Sequence, residues 1–248
     1  MGISFKDVRA LLIQARNTPD MEVQEQECFV ERTRLERSQM VSFNLAHSDI
    51  SEISLSDFDV LFIGGAGEYS AGADYPWMNQ LLELVQTAYT RRLPTFGSCW
   101  GHQVIARALG GTVVNDPDLS EMGCLSITLT EAGEKDKLFS DFPTSFMANM
   151  GHHDRVTELP NNAIQLAVSE SQPNEAFRML DAPMYGTQFH SELDAQRERE
   201  RLIRYRPLYK AALPTEEVYQ QVISSLAETT EVDHLMHDFL LKFVVSGK

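Results

Sequence analysis

Leu93-Pro94-Thr95-Phe96-Gly97-Ser98-Cys99-Trp100-Gly101-His102-Gln103 runs directly into Val104-Ile105-Ala106-Arg107-Ala108-Leu109-Gly110-Gly111. A short apolar strand leads into Gly-x-Cys-x-Gly, and a helical pattern leaves it. This is the layout of a nucleophile elbow, in which one reactive side chain sits on a tight strand-to-helix turn. Gly97 and Gly101 have a steric reason, because a Cβ at either place would crowd the neighbouring strand or the incoming helix. Cys99 is then expected at a helix N-terminus, where the dipole and unpaired N–H groups favour thiolate over thiol. The Trp100 N–H is expected to point into the site as an oxyanion donor. A buried structural Cys in an ordinary βα turn is the alternative, and the elbow by itself does not decide between them.

Around this centre, the first half of the chain reads as alternating strands and helices. Val8–Gln14 is a β-type run, Met21 to Arg37 a charged helix, and Met40–Leu45 an alternating strand. Glu22, Glu25, Arg32 and Arg34 on that helix are expected on a solvated face. Phe58–Ile63 is continuously apolar, as in a parallel-sheet strand covered on both faces. It ends in Gly64-Gly65-Ala66-Gly67, which lacks the Lys-Ser/Thr of a phosphate loop and suits an oxyanion loop, with Gly65 as donor. Trp77 to Arg92 carries a packing stripe. Beyond the elbow come Cys124–Thr130, Ser145–Ala148, Ala163–Val168 and Ala176–Leu180, short alternating strands with an antiparallel character. Asn149–Val156 between them, with adjacent His152 and His153, is expected as a loop or surface segment. Neighbouring histidines on extended chain point apart, so no shared metal is expected.

The second decisive stretch is Met184-Tyr185-Gly186-Thr187-Gln188-Phe189-His190-Ser191-Glu192. Period two puts His190 and Glu192 on one side of a strand end. A cysteine needs a base for its proton, and that base needs a third group to fix its tautomer. With the elbow about ninety residues earlier, a Cys99–His190–Glu192 triad is the leading reading.

Composition limits the alternatives. The 248 residues, 43% hydrophobic, suffice for a full core, and a net charge of −15 from 36 acidic against 21 basic residues speaks against a nucleic-acid partner. Cys28, Cys99 and Cys124 make neither a disulfide framework nor a metal spacing. No run approaches the length of a membrane span and no signal core opens the chain, so a cytoplasmic protein without a membrane partner is expected.

The assembled motifs resemble the class I, triad-type glutamine amidotransferases, especially the glutaminase domain of GMP synthetase and its free-standing relatives. The matching residues are Gly97–Gln103, Leu109-Gly110-Gly111, His152-x-Asp154-Arg155-Val156 with Leu159-Pro160, and Gly186-x-Gln188-Phe189-His190-x-Glu192. The resemblance runs over roughly residues 8 to 193. It implies an α/β fold: a twisted, mostly parallel sheet flanked by helices in three flavodoxin-like layers, with a small antiparallel extension. It makes Cys99 the nucleophile, His190 the base and acid, and Glu192 the orienting carboxylate. Gly65 and Trp100 become oxyanion donors, and Gln103, Gly67, Gly151 and His152 substrate contacts. Two departures stand out: Ser191 where relatives commonly carry Pro, and His153 where the synthetase pattern has Gly.

The implied substrate is glutamine or another γ-glutamyl compound, with no cofactor or metal and no acceptor domain after residue 193. A synthase partner or a second copy of the chain are the implied associations, and a self-sufficient γ-glutamyl hydrolase or peptidase is the alternative activity. Residues 1–193 are thus expected as the catalytic domain and 194–248 as a helical extension packed on it. In that extension Asp194 to Tyr205 is a charged helix, and Val232, Leu235, Met236, Phe239, Leu240, Phe243 and Val244 form a helical stripe. The stripe is expected either to pack on its own domain or to meet a partner.

Overall fold

A computed structural model describes residues 3–245. Its strands are β1 (Ala10–Ala15), β2 (Met40–Asn44), β3 (Val60–Ala66), β4 (Thr95–Ser98), β5 (Thr112–Asn115), β6 (Glu121–Leu129), β7 (Ser145–His152), β8 (Asp154–Glu158), β9 (Ala163–Val168), β10 (Ala176–Met179) and β11 (Met184–Thr187). Its α-helices are α1 (Pro19–Thr33), α2 (Met78–Thr90), α3 (Trp100–Ala108), α4 (Glu131–Glu134), α5 (Ala195–Tyr205), α6 (Glu216–Ser225) and α7 (Leu235–Phe243).

Nine strands form one sheet in the order β2-β1-β3-β4-β11-β10-β9-β6-β7, and β5 pairs with β8 in a separate ribbon. The strands from β2 to β11 pair in parallel. From β11 onward each pairing is antiparallel, so the antiparallel part continues the same sheet. The three layers follow from the two-residue period of the strands. On β3, Phe62 joins one core with Phe29 of α1 and Phe96 of β4, while Leu61 and Ile63 join the other with Leu81 of α2 and Val104 of α3.

The C-terminal stripe lies inside the first of these cores. Leu235, Met236, Phe239 and Leu240 are fully buried, with Phe239 edge-on to Phe62 and Phe96. Removing such side chains from water contributes roughly 1.5–3 kcal/mol each. The face that could have met a partner is therefore occupied by the protein's own sheet.

Two local expectations are corrected. The charged first helix ends at Thr33 rather than Arg37, because Arg34 takes a left-handed conformation (φ 59°) that closes the last turn. Asn149–Val156 is not a loop: it holds the end of β7 and the start of β8, and His152 is buried.

Candidate active site

The parallel strands end at the elbow. Cys99 caps α3 with φ 50° and ψ −101°, a strained conformation for a residue with a Cβ. The flanking glycines make the turn sterically feasible. A Cβ on Gly101 would lie 2.0 Å from the Ile63 carbonyl oxygen, and one on Gly97 would lie 2.5 Å from the Gly101 backbone. The Cys99 N–H donates to the Thr187 carbonyl at 2.8 Å, locking the elbow to β11. Trp100 opens α3, so its N–H has no intrahelical partner.

His190 and Glu192 lie just past β11 rather than on it, and a bend brings them together. The His190 Nδ1–H donates to Glu192 Oε1 at 2.8 Å, and Ser98 Oγ donates to Glu192 Oε2 at 2.5 Å. Burial alone would lower the pKa of His190. The Glu192 carboxylate, then Cys99 and Glu198, outweigh it and hold the imidazole well above its usual value. Burial would likewise raise Glu192, but His190, Arg201 and Ser98 together hold it at about 2. Nδ1 is thus fixed as a donor, and Nε2 lies on the far side of the ring, 3.9 Å from Glu198 Oε2.

An ionic chain that the sequence did not reveal stands behind the triad. Arg201 of α5 lies 3.3 Å from Glu192 and also pairs with Glu25 Oε2, the same oxygen that Arg16 holds at 2.8 Å. Glu25 is fully buried, not on a solvated face, and Arg201 is 5% exposed. Burial would raise the Glu25 pKa, yet the two guanidiniums hold it below the usual carboxylate range. The signal that could have exposed Glu25 was the apolar neighbourhood of Cys28 and Phe29 on the same helix.

The Gly65 role is corrected by this chain. Its N–H donates to Glu25 Oε1 at 2.5 Å, so it is already committed and does not serve as a free donor in the cleft. Gly67, two residues on, lines the cleft instead. Gln103 also differs from expectation: its Nε2 donates to the Asp154 carbonyl at 2.7 Å and to Gln188 Oε1 at 2.9 Å. Gln188 in turn donates to Cys99 Sγ at 3.6 Å. Gln103 therefore orients Gln188 beside the nucleophile. Its amide N–H groups are engaged inside the protein.

A cavity of about 180 Å³ opens over Cys99, bordered by Gly67, Glu68, Gly151, His152 and Tyr209. Gly67, Gln103, Gly151 and His152 thus all reach the expected cleft. His152 has its Nδ1 on the Asp154 carbonyl at 2.9 Å and its Nε2 3.2 Å from Glu121, so it presents ring surface rather than a free nitrogen. His153 is half-buried against Tyr209, with ring centroids 4.8 Å apart. Glu121, His152 and Glu175 lie close enough to hold a metal ion among the described residues. Ser169 and Ser171 already donate to Glu121 Oε1, at 2.5 and 2.6 Å, which suits an internal polar cluster. No helix of the described residues is long and apolar enough to cross a membrane.

Comparison with known proteins adds four findings. Residues 24–206 match the family model described as glutamine amidotransferase class-I. The chain is 37% identical over 112 residues to a glutamine-hydrolyzing GMP synthase subunit from Pyrococcus abyssi, a stretch covering 45% of this chain and 57% of that one. With the GMP synthase of Aliivibrio salmonicida it shares 31% identity over 147 residues, 58% of this chain and 26% of the relative. The chain thus spans little over half of the first relative and about a quarter of the second. A solved glutamine amidotransferase from Thermotoga maritima superposes with TM-score 0.76 at 22% identity, covering 96% of this chain and 99% of that one. That likeness establishes a shared α/β three-layer fold.

Proposed function

The chain belongs to the class-I glutamine amidotransferases, and from that membership we propose that it hydrolyses the side-chain amide of glutamine through Cys99, His190 and Glu192. The observation that carries the reading is the strained elbow placing Cys99 beside an imidazole whose other nitrogen is fixed by a buried carboxylate. Cys99 gives its proton to His190 Nε2, and the sulfur attacks the amide carbon. The carbonyl electron pair moves onto oxygen, held by the Trp100 N–H and by a backbone N–H of the Gly67 segment. The oxyanion collapses, the C–N bond breaks, and the imidazolium proton goes to the departing nitrogen as ammonia. Water then gives a proton to His190 while its oxygen attacks the thioester. Loss of the sulfur leaves glutamate and returns the proton to Cys99.

The relatives described as GMP synthase subunits supply the model for a partner. We assign this chain the same working arrangement, with ammonia handed to a separate synthase whose acceptor is unidentified. The elements after residue 193 belong to the catalytic unit in this reading, since Arg201 supports Glu192 and α7 completes the core. The experiment is ammonia and glutamate release from glutamine by the purified chain, with and without a synthase, alongside labelling by a glutamine-mimicking electrophile. Slow hydrolysis that rises with the synthase, and label on Cys99 alone, are expected. Burial pushes the Cys28 thiol up to about 12, which keeps it inert. Label spread over all three thiols would remove the activated nucleophile.

A further inference from the structure

Glu198 is a carboxylate that the triad does not explain. It projects from α5, is 2% exposed, and its Oε2 has no hydrogen-bond partner among the described residues. That oxygen lies 3.9 Å from His190 Nε2, on the side of the imidazole opposite Glu192. A buried carboxylate oxygen left unpaired is costly, so a donor that enters the space beside His190 would be bound there. The 3.9 Å gap is too long for a hydrogen bond. It nevertheless lets one small donor beside the pair sit about 3 Å from both groups.

The space around that gap is separate in character from the open cleft. It is a cavity of about 30 Å³ bordered by Cys99, His190, Glu198, Leu202 and Tyr205. Roughly one or two molecules of water size fit such a volume. Its walls are closely packed: Leu202 and Tyr205 are buried, and a Cβ on Gly67 would fall 2.2 Å from the Tyr205 ring. The proton of His190 must reach the leaving nitrogen, so that nitrogen must stand at Nε2, and this chamber is the cavity that His190 lines.

Resting on the glutaminase reading, we infer that this chamber is the leaving-group site, and that Glu198 selects primary amides by accepting an N–H of the carboxamide and then of the ammonia formed. A secondary amide has one N–H fewer and carries a carbon into a space closed by Leu202 and Tyr205. Helix α5, not the elbow, thereby sets the leaving-group specificity. No additional bond is made or broken: Glu198 is an acceptor throughout, and the proton on ammonia comes from His190.

The test measures glutamate released from L-glutamine and from L-γ-glutamylmethylamide. The wild-type protein should favour glutamine by about 100-fold or more in kcat/KM. Leu202→Ala, which enlarges the chamber, should narrow that preference to below about tenfold. Glu198→Gln keeps the volume and removes the charge, so it should lower kcat on glutamine about tenfold or more with little change in KM. Comparable turnover of both amides by the wild type overturns this proposal alone. So does a Glu198→Gln variant with unchanged kcat. Glutamate from neither amide overturns the glutaminase reading and the leaving-group site with it.

Discussion

Two buried histidines in this protein are each flanked by two glutamates, and their ring nitrogens meet different partners. His190 has Glu192 at 2.8 Å and Glu198 at 3.9 Å; His152 has Glu121 at 3.2 Å, with Glu175 in the same cluster. The composition is nearly identical. The difference lies in what the second ring nitrogen meets. In His152 it is spent on the Asp154 carbonyl, and the hydroxyls of Ser169 and Ser171 saturate Glu121. In His190 it faces a cysteine on a strained turn and a carboxylate whose Oε2 has no hydrogen-bond partner among the described residues. A histidine–carboxylate pair becomes an acid–base device where the fold leaves one nitrogen uncommitted. Where both are satisfied, the same residues become a strut.

Breaking the reactive pair should give the largest effect. His190→Ala is expected to cost about 10⁴-fold or more in turnover, with Cys99→Ser comparable and both variants folded, as judged by unchanged circular dichroism. Wild-type turnover in either variant would dissolve the distinction between the two histidines.

Glu192→Gln should cost less than His190→Ala, because the base itself survives. It should also move the proton affinity of His190 down, since Glu192 is the foremost group raising it against burial. Observing the His190 ring by NMR across a pH series checks the direction. The sign carries into stability. A histidine with a raised folded-state pKa contributes stability fully present below its unfolded pKa and lost as pH rises through the folded one. Glu192→Gln should therefore shrink the stability advantage that the wild type shows at low pH on account of His190.

The strut should respond in the opposite manner. His152→Ala is expected to cost about 3 kcal/mol of stability, because it strands the buried Glu121 charge, while turnover of the folded protein falls less than about tenfold. Burial would raise Glu121, but its bonds to His152, Ser169 and Ser171 hold it at about 2. Its contribution is thus present above the ordinary carboxylate range and lost as pH falls towards that value. The gap between wild type and His152→Ala in urea titrations should close over that window. A turnover loss as large as that of His190→Ala would make His152 part of the reaction.

The smallest effect is expected at Glu175. Burial, followed by the Glu121 charge, raises its pKa well above the usual value. Glu175→Gln should leave turnover unchanged. Because the raised carboxyl costs the native state increasingly as pH climbs above the unfolded pKa, the variant should be slightly more stable at alkaline pH and equal to wild type in acid. Thermal melts at both ends of the range check it.

Much of the elbow was determined by sequence alone. Gly97 and Gly101 are demanded by contacts within one strand–turn–helix unit, and such local sterics are written in adjacent residues. The spacing of His190 and Glu192, the alternation of the strands and the stripe of α7 are local patterns in the same sense, and they sufficed for the fold class and for the pairing of His190 with Glu192. The tertiary structure alone decided where charges went. Glu25 sits in a stretch that reads as a solvated face and Arg201 in one that reads simply as a charged helix, and nothing in either announces that the two meet in the interior. Glu198 becomes a partner of His190 only because α5 turns back over the cleft, and Gly65 loses its N–H to a carboxylate forty residues away in sequence. A hydrophobic period marks which face is buried. It cannot mark a buried charge, whose burial depends on an opposite charge arriving from a distant part of the chain.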